Sequence, residues 1–172
     1  MPGVSARANT ATGFPRITFE AFGEQILDRQ MSLRVEAGQN LGPAMQEVAR
    51  FVMKVLKRRF DLQGAYGSPR WAALSQARID EKKRLKLDPR ILHATLALRD
   101  SLTKRGAKGQ VLHAGRDLMQ LETDLFYGRF HQRGEGQKVR KPVYIAEDNR
   151  RRFIKIIQRY LRTGEVASEA IA

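Results

Sequence analysis

Three histidines, His93, His113 and His131, are the only imidazoles in this chain, and they stand 20 and 18 residues apart. An imidazole can ligate a metal or carry a proton near neutral pH. Zinc sites take their ligands from short spacings such as H-E-x-x-H, or combine histidine with thiolate. Neither pattern occurs, and there is no cysteine. His93 falls on a predicted core-facing helix, so a satisfied buried imidazole is expected there. His131, followed by Gln132 and soon by Gly134, is expected to donate to backbone carbonyls or to pack at a subunit boundary.

Two pairs of adjacent carboxylates, Asp80-Glu81 and Glu147-Asp148, offer no acid/base couple, because neighbours on a helix point about 100° apart. Glu147 and Asp148 read instead as the acidic start of a helix. No glycine-rich loop ends in Lys-Ser/Thr, and no G-x-S-x-G elbow appears. Catalytic, cofactor-binding and metal-ligating residues are therefore not expected, and neither is an enzyme.

Charge is the stronger signal. Lys and Arg total 32 against 18 Asp and Glu, a net charge of +14 over 172 residues. Lys138, Arg140 and Lys141 lead into Arg150, Arg151, Arg152, Lys155, Arg159 and Arg162. Such cations neutralise phosphates without reading sequence. No zinc finger, RNP-like aromatic stretch or helix-turn-helix accompanies them. Three readings fit: a solvated basic helix, a wall past which duplex DNA moves, or a flank facing an acidic subunit. A nonspecific basic nucleic-acid-binding protein is the alternative that charge alone supports.

The length suits one domain with one core. No apolar run reaches the roughly 18 residues of a membrane span, and the N-terminus lacks the apolar core of a signal peptide. A soluble chain in a reducing compartment is expected.

Periodicity assigns the secondary structure around these residues. Residues 1–14 are rich in small side chains and read as a tail, residues 15–163 as one α+β domain, and residues 164–172 as a second tail. Arg16 to Phe19 alternates as a strand, and a helix is predicted over 22–36. The clearest helix runs from Pro43 to Phe60, with Met45, Val48, Val52, Val55 and Leu56 as its stripe. Arg50, Lys54, Lys57 and Arg58 fall on its other faces, either as a solvated surface or as a surface for an anion or partner. Residues 64–69 form a loop anchored by Trp71 and Leu74. The charged stretch 76–86 is an exposed helix or loop. A helix is predicted over 89–104, burying Ile91, Leu92, Leu96, Leu98 and Leu102. Two strands over 110–122 form a hairpin, a short helix ends at Gly134, and Val143 to Ala146 is a strand. The last helix covers 149–162, its stripe made by Phe153, Ile156, Ile157, Tyr160 and Leu161. The predicted class is α+β: several helices packed on a small antiparallel sheet, with a long C-terminal amphipathic helix.

Four short runs recur in a recognisable order. They are Pro69-Arg70-Trp71-Ala72-Ala73-Leu74-Ser75; Ile91-Leu92-His93-Ala94-Thr95 with Leu98 and Ser101; Tyr127 to Gly134, carrying His131 and Gln132; and Lys141-Pro142-Val143-Tyr144-Ile145. Over about residues 20–162 the chain resembles the phage virion morphogenesis family of tail-completion and head–tail joining proteins. Trp71, Leu74, Thr95, Leu98, Ser101, Tyr127, His131, Gln132, Gly134 and Pro142 carry the likeness. Two positions depart from it. Leu96 stands where the family usually has glycine, which predicts a longer helix without a backbone break. The last run reads Lys-Pro-Val-Tyr-Ile-Ala where the family tends to Arg-Pro-Phe-Leu-Gly.

The resemblance implies a structural virion protein of the head–tail junction, as tail terminator, tail-completion protein or neck connector. It implies a ring of roughly six or twelve copies around the DNA channel, joining tail to capsid through heterologous subunit contacts. The implied neighbours are neck, portal-adaptor and tail-tube proteins, with nonspecific contact to genomic DNA, no membrane and no cofactor. The protein would be made in the host cytoplasm and carried in the virion. Residues 64–70 and 133–141 are expected to be arms that order on assembly.

Overall fold

The computed structural model describes residues 4–9 and 16–21 by their backbone, and residues 38–67 and 70–166 with their side chains. The helix predicted over 22–36 lies outside the described residues, as do 167–172 of the second tail. Among the described residues nine elements follow in order: β1 (Val4–Asn9), β2 (Arg16–Ala21), α1 (Gly42–Asp61), α2 (Gln76–Arg84), α3 (Ala97–Thr103), β3 (Gln110–Ala114), β4 (Leu118–Thr123), α4 (Gly128–Arg133) and α5 (Glu147–Thr163). The class is α+β, as predicted.

The four strands form one antiparallel sheet in the order β1-β2-β4-β3. Leu121 pairs with Leu112 on one side and with Ile17 on the other, so the β3–β4 hairpin is extended by the N-terminal strands. β4 alternates, with Met119, Leu121 and Thr123 buried beneath α1 and the residues between them half-exposed. Period two made this hairpin readable. β1 falls inside the segment read as a tail. Its residues, Val-Ser-Ala-Arg-Ala-Asn, include only one large apolar side chain, so hydrophobic alternation does not reveal it.

α1 is the centre of the core. Met45, Val48, Val52, Leu56 and Phe60 are wholly buried, and the helix packs on β4, α3 and α5. Pro43 lies in its first turn, where a missing N–H costs nothing. α5 runs antiparallel to α1. Tyr66, just beyond the C-terminus of α1, has its hydroxyl 3.5 Å from Asn149 Oδ1, while the Tyr160 hydroxyl donates to the Asn40 carbonyl, just before α1, at 3.0 Å.

Two predicted elements differ. The helix expected from residue 89 begins only at Ala97, because residues 88–96 are held by polar clamps instead of a helical ladder. The buried ammonium of Lys82 donates to the carbonyls of Asp88 (2.8 Å) and Arg90 (2.6 Å), and the Ile91 N–H donates to Gln63 Oε1 (3.3 Å). Leu92 and Leu96 take left-handed backbone, at φ 59° and 60°. The break at position 96 therefore survives without glycine, contrary to the longer helix that Leu96 suggested. Ile91, Leu98 and Leu102 are buried, whereas Leu92 and Leu96 are only half-buried.

Val143 to Ala146, predicted as a strand, joins no sheet among the described residues. The side chain of Gln132 takes the place of a neighbouring strand. Its Nε2 donates to the Val143 carbonyl (3.0 Å), and its Oε1 accepts from the Val143 N–H (3.2 Å). Backbone groups buried away from water need partners, and one side-chain amide supplies both.

Candidate interaction surfaces

α5 sorts its residues by face. Asn149, Phe153, Ile156, Ile157 and Tyr160 are buried, while Arg151, Arg152, Lys155, Arg159 and Arg162 are exposed. At about 100° per residue, these five cations fall within an arc of roughly 100° opposite the core. The only carboxylates of the helix, Glu147 and Asp148, sit in its first turn, where the helix dipole favours them. Glu147 lies 3.8 Å from Arg150 and 3.9 Å from Arg151 in pairs too exposed to contribute much. Arg151, Lys155 and Arg159 are like charges spaced four apart, an arrangement that costs a helix about 0.2–0.5 kcal/mol per pair. The stripe is thus a surface that anions or acidic side chains would relieve.

The remaining predicted cations divide. Lys138 and the Lys141 side chain are exposed in the preceding loop, and Arg150 is half-buried on the flank of the stripe. Arg140 is not a surface cation. It is 9% exposed, and its Nε and Nη2 donate to the carbonyls of Ala72 (2.8 Å) and Ala73 (3.0 Å). Burial lowers the guanidinium pKa. Arg140 is a clip between two loops.

Arg59 does the same job one layer deeper. It is 2% exposed and donates to the carbonyls of Gly64 (2.8 Å), Tyr66 (3.0 Å) and Lys141 (3.0 Å). Its guanidinium also lies over the rings of Trp71 and Tyr144. Desolvation brings its pKa down to about 10. These bonds fix parts of both segments expected to be assembly arms. Periodicity carries the signal for Arg59, which stands four residues after Val55 and seven after Val52, on the apolar stripe.

The four recurring sequence runs meet in space. Trp71 is buried edge-on to Phe60 (5.3 Å between ring centres), and its Nε1 donates to the Lys141 carbonyl (3.0 Å). Gly64 lies against this ring: a Cβ there would fall 2.4 Å from Trp71 Cδ1, and its φ is +86°. The buried Ser101 hydroxyl donates to the Leu98 carbonyl (3.0 Å) and lies 2.9 Å from the Thr123 hydroxyl. His131 stands edge-on to Tyr127, its Nδ1 2.9 Å from Gln137 Nε2. Gly134, at φ 81°, ends α4, and Pro142 is buried beside Val143. Leu74, Thr95, Leu98, Tyr127 and His131 then line one cavity of about 580 Å³.

The histidines remain separate. His93 is wholly buried with its Nδ1 2.8 Å from the Ile91 carbonyl, His131 is half-buried, and His113 is exposed on β3. Among the described residues no three His, Asp or Glu side chains are grouped so as to hold a metal, and no helix is long and apolar enough to cross a membrane.

Residues 23–161, well over half of the chain, match the model of the phage virion morphogenesis family, and all the clustered motif residues fall inside that range. The chain belongs to the phage virion morphogenesis family. No curated protein and no solved structure matches it. Membership gives the protein a structural or assembly role in a phage virion. As a member of the phage virion morphogenesis family, it uses its motif residues as welds. They tie the segments at 71–75, 95–101, 127–134 and 140–145 to one another and to α1.

Proposed function

We propose that this protein is a subunit of a ring at the head–tail junction, needed to complete the tail or join it to the filled capsid. In this reading the exposed cations of α5, with Lys138 and Lys141, face either the DNA channel or an acidic neighbouring subunit. The observation that carries the reading is the one-sided cationic face of α5 on a member of this family. A surface of this kind binds through charge density and needs no base-specific contact.

The test reverses Arg151, Arg152 and Lys155 to Glu together. All three are exposed, so the fold is retained. Particles assembled with this variant should show a loss of head–tail joining or of packaged DNA. Unchanged particle yield and infectivity would overturn the reading.

A further inference from the structure

β3 is an edge strand whose outer ladder is open. The Gly115 N–H donates to the Leu118 carbonyl (2.9 Å) and the Asp124 N–H to the Gly109 carbonyl (3.0 Å), which fixes the phase of the β3–β4 ladder. Bonded and non-bonded pairs alternate along antiparallel strands, so Val111 and His113 bond β4. The N–H and C=O groups of Leu112 and Ala114 point the other way, and no described residue takes them. Protein edges are commonly blunted by charged side chains, proline or a bulge. β3 reads Gln-Val-Leu-His-Ala, without Lys, Arg, Asp, Glu or Pro, and pairs with β4 one-to-one. Copies of a chain carrying +14 repel one another, and β3 adds no charge to a contact between them.

The opposite edge of the same sheet fits it. Two rows cross all four strands, Leu112–Leu121–Ile17–Ala8 and Ala114–Met119–Phe19–Ala6. Each residue aims both of its backbone groups to one side, so bonded and non-bonded gaps alternate along a row. Leu112 is open at its edge, Leu121 bonds Ile17, and Ala8 is open again at the far edge. The second row has the same phase, with Ala114 and Ala6 at its ends. Four strands is an even number, so β1 and β3 also run antiparallel to each other.

We infer that β3 of one copy pairs with β1 of the next, Leu112 opposite Ala8 and Ala114 opposite Ala6. Each bonded pair exchanges two backbone hydrogen bonds, so the two pairs join neighbouring sheets into one by strand addition. The contact joins two different edges, as a subunit repeating around a ring requires, whereas β3 against β3 closes a dimer on a two-fold axis. It rests on the ring reading above and assigns the seam of that ring.

In this register His113 stands opposite Arg7 of the next copy, in a non-bonded pair with Cα atoms about 4.5 Å apart, within reach of a disulfide. Within one copy the same two positions are three strand spacings apart, about 14 Å. The chain has no cysteine of its own. Full-length chains carrying Arg7→Cys are mixed with chains carrying His113→Cys and oxidised. A disulfide-linked dimer is expected, roughly tenfold above a control pairing Arg7→Cys with Lys57→Cys on α1. Adding Ala114→Pro to the His113→Cys chain should return the yield to the control, because proline removes an outward N–H and leaves the β3–β4 bonds in place. A yield equal to the control without that proline would overturn the contact. So would a preferred link between His113→Cys and Val111→Cys, the pair that β3 against β3 brings together. Both cysteines in one chain, in assembling particles, separate this contact from the head–tail reading. Joined particles without the crosslink overturn the contact and leave that reading standing. Crosslinked purified protein, beside particles that join normally without the gene, keeps the contact and overturns that reading.

Discussion

Gln132 holds both backbone groups of Val143 with one side-chain amide, at 3.0 and 3.2 Å. The pairing gives Val143 the two partners a neighbouring strand would supply, and it accounts for the glutamine that follows His131 in the motif. Replacing Gln132 with Leu keeps the volume and strands a buried N–H and a buried C=O. The expected loss is on the order of 3 kcal/mol, seen as a lower urea midpoint with an unchanged slope. An unchanged midpoint would mean that water or another group serves Val143.

Leu96 yields a prediction opposite in sign to helix propensity. Inside a helix, alanine is more stable than glycine by about 1 kcal/mol. At φ 60° the order reverses, because a Cβ in left-handed backbone costs roughly 1–2 kcal/mol. Leu96→Gly should therefore be more stable than Leu96→Ala, whereas at the fully helical and buried Leu102 the alanine variant should be the more stable of the two. Thermal midpoints of the four variants check this.

Arg140 and Arg151 carry the same charge and should behave differently. Arg140→Met leaves the Ala72 and Ala73 carbonyls without their donor and should cost about 1–3 kcal/mol, with Arg140→Lys a poor rescue because it lacks the forked geometry. Arg151→Gln removes an exposed like-charge neighbour of Lys155 and should stay within about 0.5 kcal/mol of the parent. Denaturant titrations of the three variants separate a clip from a surface cation.

Two histidines set a pH dependence. Burial depresses the pKa of His93, which also faces Arg90, Arg99 and Asp88, and of His131, which faces Arg140. Below the unfolded value of about 6.5 the unfolded chain binds protons that the folded chain refuses, so stability rises with pH there. It is complete above that value and falls as pH drops through the depressed folded pKa values. The thermal midpoint should fall between pH 7.5 and 5.5. His93→Phe with His131→Gln should flatten the slope, and a slope unchanged in that double variant would reject the assignment.

The elements legible in the sequence were those whose own residues decide them. α1 and α5 carry apolar stripes at helical spacing, the β3–β4 hairpin alternates, and Gly134 and Gly164 stop their helices in left-handed backbone. What sequence periodicity missed is decided by distant partners. Lys82 bends residues 88–96 away from a helix, although its own sequence neighbourhood is a plain charged run. Gln132 replaces a strand for Val143. Arg140 looks like any other cation of the 138–141 loop until Ala72 and Ala73 arrive beside it. The cavity joins residues as far apart as Leu74 and Arg140, and no local pattern announces it.

The proposed head–tail joining role is decided by comparing particles made with and without this protein's gene. Electron microscopy and a mass-resolved protein inventory of both lysates give the readout. If the protein joins heads to tails, a few copies accompany each joined particle, and filled heads and finished tails stay separate when the gene is absent. Normally joined particles that lack the protein would contradict it and leave the basic face of α5 to a free nucleic-acid binder.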